Sequence, residues 1–205
     1  MERKNIIIRP LQTPDYEATT RILFDSFHSK FTALTSLNDE DLFEFLLLMN
    51  IETSVAREGL YVAEVEGKVM GVLFLRWEGQ NVPNDVPSPS LLHAARRFGL
   101  LNVIRFLFGM WILDEEYTST DCYIEHIAVS EEVRGKGIGK QMLVFAEKFA
   151  KEQGFQCLTL NVTSRNTKAI QLYETLGFNI KSKISSWLSE LMVKERRFYF
   201  MGKRV

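Results

Sequence analysis

The chain has 205 residues, which fits one domain with room for an insertion. Apolar residues make up 46% of it and charged residues 25%, the composition of an ordinary soluble globular protein with a sizeable core. A formal net charge of −1 gives no electrostatic reason to expect nucleic acid as a partner. Two cysteines, Cys122 and Cys157, are too few for a disulfide framework. We therefore expect two buried, reduced thiols in a cytoplasmic protein.

The first quarter of the chain predicts one strand and two helices. Residues 6–8 are three isoleucines followed by Arg-Pro, which indicates a strand that stops at the proline. A helix is expected from Thr13, as its N-cap, to about residue 27, because proline and aspartate follow the threonine. A second helix is expected over residues 38–51, where apolar side chains are dense.

The middle of the chain predicts a hairpin and then an apolar insertion. Residues 60–66 and 69–77 flank a Glu-Gly-Lys turn and form the hairpin. Residues 81–89 contain three prolines, which is typical of a loop. Residues 91–113 predict one or two helices broken near Gly99. Three arginines interrupt this stretch, so it lacks the ~20 apolar residues of a membrane span.

The second half of the chain alternates strands and helices. The predicted elements are, in order, a strand at 122–129, a helix at 137–153, a strand at 157–162, a helix at 166–176, and closing strands at 178–183 and 198–203. A strand–helix–strand order of this kind predicts an α/β arrangement with a parallel pair of strands.

A glycine-rich loop joins the strand at 122–129 to the helix after it. Gly135, Gly137 and Gly139 alternate at the start of that helix, where glycine permits close backbone approach and unusual φ angles. A helix N-terminus presents unpaired N–H groups that favour phosphate oxygens. Arg134 and Lys136 add positive charge at the same place. The loop therefore predicts a phosphate site.

Three other interpretations of the loop match the sequence less well. A Walker A loop would need glycine at position 134 and serine or threonine at 141, where the chain has Arg134 and Gln141. A dinucleotide loop would need a third glycine at Lys140 and an acidic residue where Asn161 stands. A plain strand-to-helix turn would need only one glycine.

Two segments resemble the GCN5-related N-acetyltransferase superfamily. Residues 129–139 are similar to its acetyl-coenzyme-A loop, Arg/Gln-x-x-Gly-x-Gly/Ala, which Arg134, Gly137 and Gly139 match. Residues 166–178 are similar to its Asn-x-x-Ala-x-x-x-Tyr-x-x-x-Gly-Phe segment. Two motifs in the family order, ~30 residues apart, are far more specific than either alone.

The resemblance is strong over residues 123–178, weaker over residues 5–77 and absent over residues 80–118. It implies an α/β (α+β) fold with a mixed, mostly antiparallel sheet of six to seven strands. Strands 4 and 5 would be parallel and splayed, and helices would cover both faces. Residues 1–205 would form one acetyltransferase domain, with a helical insertion at about 80–118 between strands 3 and 4.

The resemblance also implies the cofactor and its contacts. Acetyl-coenzyme A would be the co-substrate, and no metal is expected. The backbone of one strand would pair with the pantetheine arm, the glycine loop would hold the pyrophosphate, and the second motif would contact the cofactor from the other side. The residues so assigned are Ile127, Ala128, Val129, Arg134, Gly135, Lys136, Gly137, Ile138, Gly139, Asn166 and Tyr173.

Glu125 and Tyr173 are the candidate catalytic residues. Strict strand alternation places Glu125 on the same face as Ile127 and Val129, where it could remove the proton of the acceptor amine. Alternatively, Glu125 only binds a substrate cation or pairs with an arginine. The resemblance places the Tyr173 hydroxyl at the coenzyme A sulfur, as acid or hydrogen-bond donor; the alternative is an aromatic packing residue. His126 is expected to be a packed or surface histidine.

These observations predict an N-acetyltransferase that acts on a primary amine of a small-molecule or peptide acceptor by direct attack. A non-catalytic acyl-coenzyme-A sensor and an acyltransferase for longer acyl chains are the alternatives. The apolar insertion could roof the acceptor pocket, add core or form a homodimer interface. A third interpretation is a helix resting on a membrane surface.

Overall fold

A computed structural model describes most of the chain, namely residues 5–49, 58–80, 90–112, 118, 120–185 and 197–205. Its strands are β1 (Ile6–Pro10), β2 (Leu60–Val65), β3 (Lys68–Arg76), β4 (Asp121–Val129), β5 (Cys157–Thr163), β6 (Asn179–Ser185) and β7 (Arg197–Arg204). Its helices are α1 (Tyr16–Ser26), α2 (His28–Leu34), α3 (Asp39–Leu48), α4 (Leu91–Phe98), α5 (Leu100–Ile112), α6 (Ile138–Glu152) and α7 (Thr167–Thr175).

The seven strands form one open sheet in the order β1-β2-β3-β4-β5-β7-β6. The pair β4–β5 is parallel, and the other neighbouring pairs are antiparallel. Glu66 and Gly67 both have positive φ, 53° and 77°, as the tight turn between β2 and β3 requires. The predicted mixed, mostly antiparallel sheet is confirmed, with the predicted helices between strands 3 and 4.

The parallel strands β4 and β5 stay paired over only part of their length. Their register runs from the start of both strands to Ile124 and Leu160. Beyond that point β4 continues to Val129 along β3, while β5 continues to Thr163 along β7. The two strands therefore splay, and a notch opens between them in the middle of the sheet. This is the splay that the sequence resemblance implied.

One face of the sheet packs against α6 and α7. The core on this side combines side chains of both helices, such as Met142, Leu143 and Tyr173, with strand residues such as Cys122 and Leu160. The apolar spacing of α6 predicted this contact, because residues three and four apart lie on one helical face.

The other face carries α1 and a second helical core. The insertion helices α4 and α5 pack with α2 and α3 around Leu34, Phe45 and Phe106. The break between α4 and α5 lies at Gly99, where φ is 90°, as predicted. The inward side of the insertion is thus additional core. The predicted loop at 81–89 and residue 113 lie outside the described residues.

The start of α1 differs from the prediction. Residues 13–15 form a short 3-10 turn with Gln12 at the N-cap position, and α1 begins at Tyr16. Thr13 is therefore not the cap, because the Asp15 carboxylate accepts from the Gln12 N–H at 2.8 Å and organises the turn instead. Asn38 does cap α3, accepting from the Asp41 N–H at 2.9 Å, as predicted.

The helix α2 and the burial of Cys157 also differ from the prediction. The seven-residue helix α2 follows α1 directly and was not predicted, since it is too short to show helical periodicity. Both thiols are free, but only Cys122 is fully buried, and Cys157 is half-buried. Burial raises the pKa of the Cys122 thiol to about 12.

Candidate active site

The glycine loop leads into α6 with two left-handed residues. Gly135 has φ 77° and Gly137 has φ 85°, values that residues with a Cβ rarely adopt. The first backbone hydrogen bond of α6 runs from the Gln141 N–H to the Gly137 carbonyl at 3.0 Å. The N–H groups of Ile138 and Gly139 precede it, so they have no acceptor within the helix. A Cβ added at Gly135 or Gly137 would meet no atom within 4 Å. The space beside both glycines is open, and together with the N–H groups of Ile138 and Gly139 it fits a pyrophosphate.

The two cations of the loop contact their own segment. The Arg134 guanidinium donates to the Val129 carbonyl at 3.1 Å and to Glu131 at 2.6 Å. A third contact, at 3.3 Å, reaches Ser26 in α1. The Lys136 ammonium donates to the Glu132 carbonyl at 2.8 Å. Arg134 therefore braces the loop against the end of β4 and against α1.

The notch exposes one backbone edge of β4. Ile127, Ala128 and Val129 pair with β3 on one side, while the pairing with β5 has already ended at Ile124. Their other edge faces the gap, so an extended chain with amide groups could align there as a strand would. This is the geometry that the resemblance assigned to the pantetheine arm.

Tyr173 lies on α7, inside the core on the α6 side of the sheet. It is nearly fully buried, and burial raises its pKa to about 12. Its hydroxyl is therefore neutral and able to donate a hydrogen bond throughout the neutral range.

Asn166 marks the start of α7. Its side chain accepts from the Ala169 N–H at 3.2 Å, so it caps the helix that carries Tyr173. The second sequence motif thus fixes the position of the candidate acid.

Glu125 does not share a face with Ile127 and Val129, contrary to strict alternation. The register of β4 with β3 shifts between Ile124 and His126, which makes Glu125 the extra residue of a β-bulge. Residues on both sides of the bulge, Ile124 before it and Ile127 after it, pack in the same core. The bulge thus reverses the alternation and turns Glu125 to the opposite face. Bulges often re-aim a side chain in this way next to active sites.

A row of polar side chains crosses three strands on that opposite face. Glu125 accepts from the Arg76 guanidinium at 3.1 Å. Arg76 stands directly opposite Tyr123 on the neighbouring strand, so their side chains share a face. The Tyr123 hydroxyl accepts from the Asn161 side-chain amide at 3.3 Å. The row ends where β4 and β5 part, so it borders the notch.

Two oxygens near this row are buried and lack a hydrogen-bond partner, Thr159 Oγ1 and Asn161 Oδ1. A buried oxygen of this kind costs about 1–3 kcal/mol unless a water or a ligand supplies a donor. Sequence reasoning did not assign Arg76, Tyr123, Thr159 or Asn161. The one available signal was the alternation of Thr159 and Asn161 with leucine and valine in an otherwise apolar strand.

His126 packs between aromatic rings, with centroids at 5.7 Å from Phe27 and 6.4 Å from Phe74. It is a packed histidine, as expected.

Comparison with known proteins identifies the family of this chain. Residues 17–178 match the family model described as the acetyltransferase (GNAT) family. The chain belongs to the GNAT acetyltransferase family. The matched region includes the glycine loop, the notch and α7.

Among curated proteins, the GNAT chain is 32% identical over 84 residues to the thialysine N-epsilon-acetyltransferase of Sus scrofa. That match covers 41% of this chain and 46% of the relative. This chain is also 46% identical over 55 residues to the streptothricin acetyltransferase of Streptomyces lavendulae. That match covers 27% of this chain and 29% of the relative. The chain thus spans less than half the length of these relatives.

Among solved structures, a GCN5-related N-acetyltransferase from Kribbella flavida matches this GNAT chain with a TM-score of 0.59 and 15% sequence identity. The match covers 98% of each chain. At this identity the similarity supports the fold, including the segments that precede the glycine loop.

Proposed function

We propose that this chain is an N-acetyltransferase that moves the acetyl group of acetyl-coenzyme A to a primary amine. The observation that carries the proposal is the notch between β4 and β5 with the N–H-lined glycine loop at its end. A pyrophosphate at the loop and an amide-bearing arm along the notch are the two parts of coenzyme A that this surface fits.

The residues that would hold the donor lie on three elements. The loop from Arg134 to Gly139 would bind the pyrophosphate through backbone N–H groups, and the free edge of residues 127–129 would pair with the pantetheine amides. Asn166, which caps α7, would contact the cofactor from the other side. Acetyl-coenzyme A supplies the reactive thioester when bound.

Donor and acceptor would approach the notch from different sides of the sheet. Tyr173 belongs to the core on the α6 side, whereas Glu125 lies with Arg76 on the other face. The amine would thus meet the acyl carbon in the gap, where neither strand blocks the approach. Placing both reactants in one confined position accounts for a large part of such rate accelerations.

Transfer forms one C–N bond and breaks one C–S bond. The ammonium of the acceptor first loses a proton to Glu125, directly or through water. The neutral amine then attacks the acyl carbon, and the sulfur departs as a thiolate that Tyr173 stabilises by donating a hydrogen bond. The attacking nitrogen gives up its second proton as the amide forms, the thiolate takes up one proton from solvent, and Glu125 releases the first proton to solvent, so the proton count balances.

The polar row indicates what the acceptor brings to the site. Asn161 Oδ1 and Thr159 Oγ1 are buried without partners, and Glu125 belongs to the same row through its contact with Arg76. A cationic amine with additional N–H or O–H donors would satisfy these acceptors. The names of the relatives, which refer to thialysine and streptothricin acetylation, agree with an amine acceptor.

We further propose a domain organisation and a cellular compartment for this chain. We place residues 1–205 in one domain with the insertion at about 80–118. Two free thiols agree with a reducing cytoplasmic compartment.

Thiol release from acetyl-coenzyme A, followed with a thiol-reactive dye across a panel of amines, tests the activity. We expect release with at least one amine. In the variant Tyr173→Phe we expect turnover to fall by about 10²-fold and coenzyme A affinity to stay within about twofold, because the hydroxyl acts on the leaving sulfur.

Unchanged turnover in Tyr173→Phe would show that Tyr173 only packs. Stabilisation of the wild type by acetyl-coenzyme A without thiol release for any amine would instead favour an acyl-coenzyme-A sensor. Release from a longer acyl-coenzyme A in preference to acetyl-coenzyme A would favour the broader acyltransferase.

A further inference from the structure

Lys203 in β7 joins three elements on the α6 side of the sheet. Its ammonium donates to Glu147 Oε2 of α6 at 2.8 Å and to the carbonyl of Leu176, the C-cap residue of α7, at 2.7 Å. The same ammonium lies 5.8 Å from the centre of the Phe178 ring. The side chain of Lys203 is only 13% exposed. Lysine is seldom buried unless its charge is paired, and here a carboxylate and a carbonyl supply the pairing.

The contact with Leu176 places a cation at the C-terminus of α7. Carbonyl groups at a helix end lack a donor within the helix, and the negative end of the helix dipole attracts a cation. The turn that follows closes back on Tyr173, whose carbonyl accepts from the N–H groups of Leu176 and Phe178, both at 3.0 Å. Lys203 therefore holds the turn that is hydrogen-bonded to the backbone of the candidate acid.

A second route from Lys203 to Tyr173 runs through side chains. The Phe178 ring lies beside the ammonium on one side and 5.8 Å from the Tyr173 ring on the other. Both rings are buried in the same core, where close packing leaves little freedom. The start of α7 is held by its cap, Asn166. The helix is thus fixed at its start by a residue of the second sequence motif and at its end by a residue outside both motifs.

We propose that Lys203 is a positioning residue for Tyr173. By anchoring the end of α7 to α6 and β7, it holds the Tyr173 hydroxyl at the place where the coenzyme A sulfur departs. This role rests on the proposed N-acetyltransferase function and on the hydrogen bond that Tyr173 donates within it. A misplacement of about 1 Å can lower a rate by about 10²-fold, so an anchor that acts only through α7 still affects turnover.

Lys151 provides a matched control. Its ammonium donates to the other oxygen of the same carboxylate, Glu147 Oε1, at 2.8 Å, but its side chain is 53% exposed. Hydrogen bonds from Lys151 and Lys203 hold the pKa of the Glu147 carboxyl below its usual value. Removing either ammonium therefore takes one cation from the same anion, while the change at Lys203 also removes the donor to Leu176.

Steady-state thiol release and coenzyme A binding test the inference. Lys203→Met keeps an unbranched side chain and removes the ammonium. We expect kcat to fall by at least about tenfold, while the Kd of coenzyme A and the KM of the amine stay within about threefold. In the Tyr173→Phe background the same change should lower kcat by less than about twofold, because the hydroxyl that it positions is already absent. Lys151→Met should leave kcat unchanged in both backgrounds.

Hydrogen exchange measures the anchor without turnover. The amide groups of residues 176–178 should exchange at least about fivefold faster in Lys203→Met than in the wild type, and at the wild-type rate in Lys151→Met. If Lys203→Met loses the wild-type circular dichroism spectrum, Glu147→Gln replaces it, since glutamine keeps the side-chain volume. That variant should lower kcat by about threefold, because a neutral acceptor holds the ammonium less strongly, and should have no effect in the Tyr173→Phe background.

An equal fall in kcat in both Tyr173 backgrounds would overturn the inference, because Lys203 would then not act through Tyr173. A fall in Lys151→Met as large as that in Lys203→Met would trace the effect to Glu147 and not to α7. Unchanged kcat in Lys203→Met or in Tyr173→Phe would also overturn it. A wild type that releases no thiol with any amine would remove the proposed function instead. Hydrogen exchange would then decide the anchor alone, and an unchanged rate in Lys203→Met would exclude it.

Discussion

Single residues at the notch have distinct tasks that their surroundings determine. Burial raises the pKa of Tyr173 to about 12, whereas an ordinary thiol has a pKa of about 8.5. Full proton transfer from Tyr173 to a departing thiolate would therefore be uphill. We infer that Tyr173 acts by donating a hydrogen bond, and that the thiolate proton comes from elsewhere. We propose that Glu125, in contact with Arg76 on the other face, acts on the acceptor amine.

Two glycines of the loop should respond differently to the same change. Gly137→Ala forces a residue with a Cβ into a left-handed backbone conformation, which costs about 1–2 kcal/mol. The new Cβ would also enter the open space that we assign to the pyrophosphate. Gly139 lies within α6, and a Cβ there would make ordinary contacts, 3.8 Å from Val129 and 3.9 Å from Leu172. Gly139→Ala should therefore keep or raise the melting temperature and bind coenzyme A within about threefold.

Calorimetric titration with coenzyme A and thermal unfolding check this pair. Gly137→Ala should lower both affinity and stability. Equal loss of coenzyme A affinity in both variants would mean that pyrophosphate binding does not depend on the left-handed turn at Gly137.

Among the elements, the insertion helices matter because they complete the second core. A helix as apolar as α5 cannot stand alone, and it packs closely against α2 at Gly109. A Cβ at that position would lie 2.1 Å from Leu34 Cδ2. Leu34 is fully buried, so its side chain has little room to move.

Gly109→Ala should thus lower the free energy of unfolding by about 1–2 kcal/mol, although alanine favours helix by ~1 kcal/mol. Urea unfolding measures the change. The same substitution combined with Leu34→Val should cost less than the sum of the two single changes, since valine frees space. Additive costs would contradict a close contact between α5 and α2.

In the whole molecule, one ion cluster ties the first strand to the sheet and to α1. Arg9 in β1 donates to both oxygens of Asp15, at 2.6 and 3.0 Å, and to Glu64 of β2 at 2.8 Å. The hydrogen bond from Arg9 lowers the pKa of the buried Asp15 carboxyl below its usual value. A lowered folded-state pKa stabilises the fold above the unfolded pKa of about 3.9 and loses that effect as the pH falls through the folded value.

Asp15→Asn should accordingly lower the free energy of unfolding at pH 7 by about 2 kcal/mol. Below pH ~4, the free energy of unfolding of this variant should fall less steeply with decreasing pH than that of the wild type. Denaturant titrations at several pH values test this. Glu152→Gln serves as control, because the Lys148–Glu152 pair at 3.6 Å is exposed and should change stability by less than about 1 kcal/mol. A steep acid dependence that persists in Asp15→Asn would exclude Asp15 as its source.

The sequence by itself predicted the donor site and determined the order of most elements along the chain. Two local patterns predicted the donor site. One is the set of glycines and cations at a helix start, and the other is the Asn-to-Phe segment ~30 residues later. The hairpin turn, the cap at Asn38 and the break at Gly99 were predictable for the same reason. A helix as short as α2 leaves no such pattern.

Only the tertiary structure decided which face Glu125 occupies, because a bulge in the register with β3 reverses the alternation. The Arg76–Glu125 and Tyr123–Asn161 contacts join residues 38 or more positions apart, which strand pairing alone brings together. The apolar character of α5 was evident in the sequence, but which of its side chains are exposed depends on which side of α5 packs on α2 and α4. Local chemistry thus predicted the donor, while the polar row that we propose for the acceptor arose from long-range strand pairing.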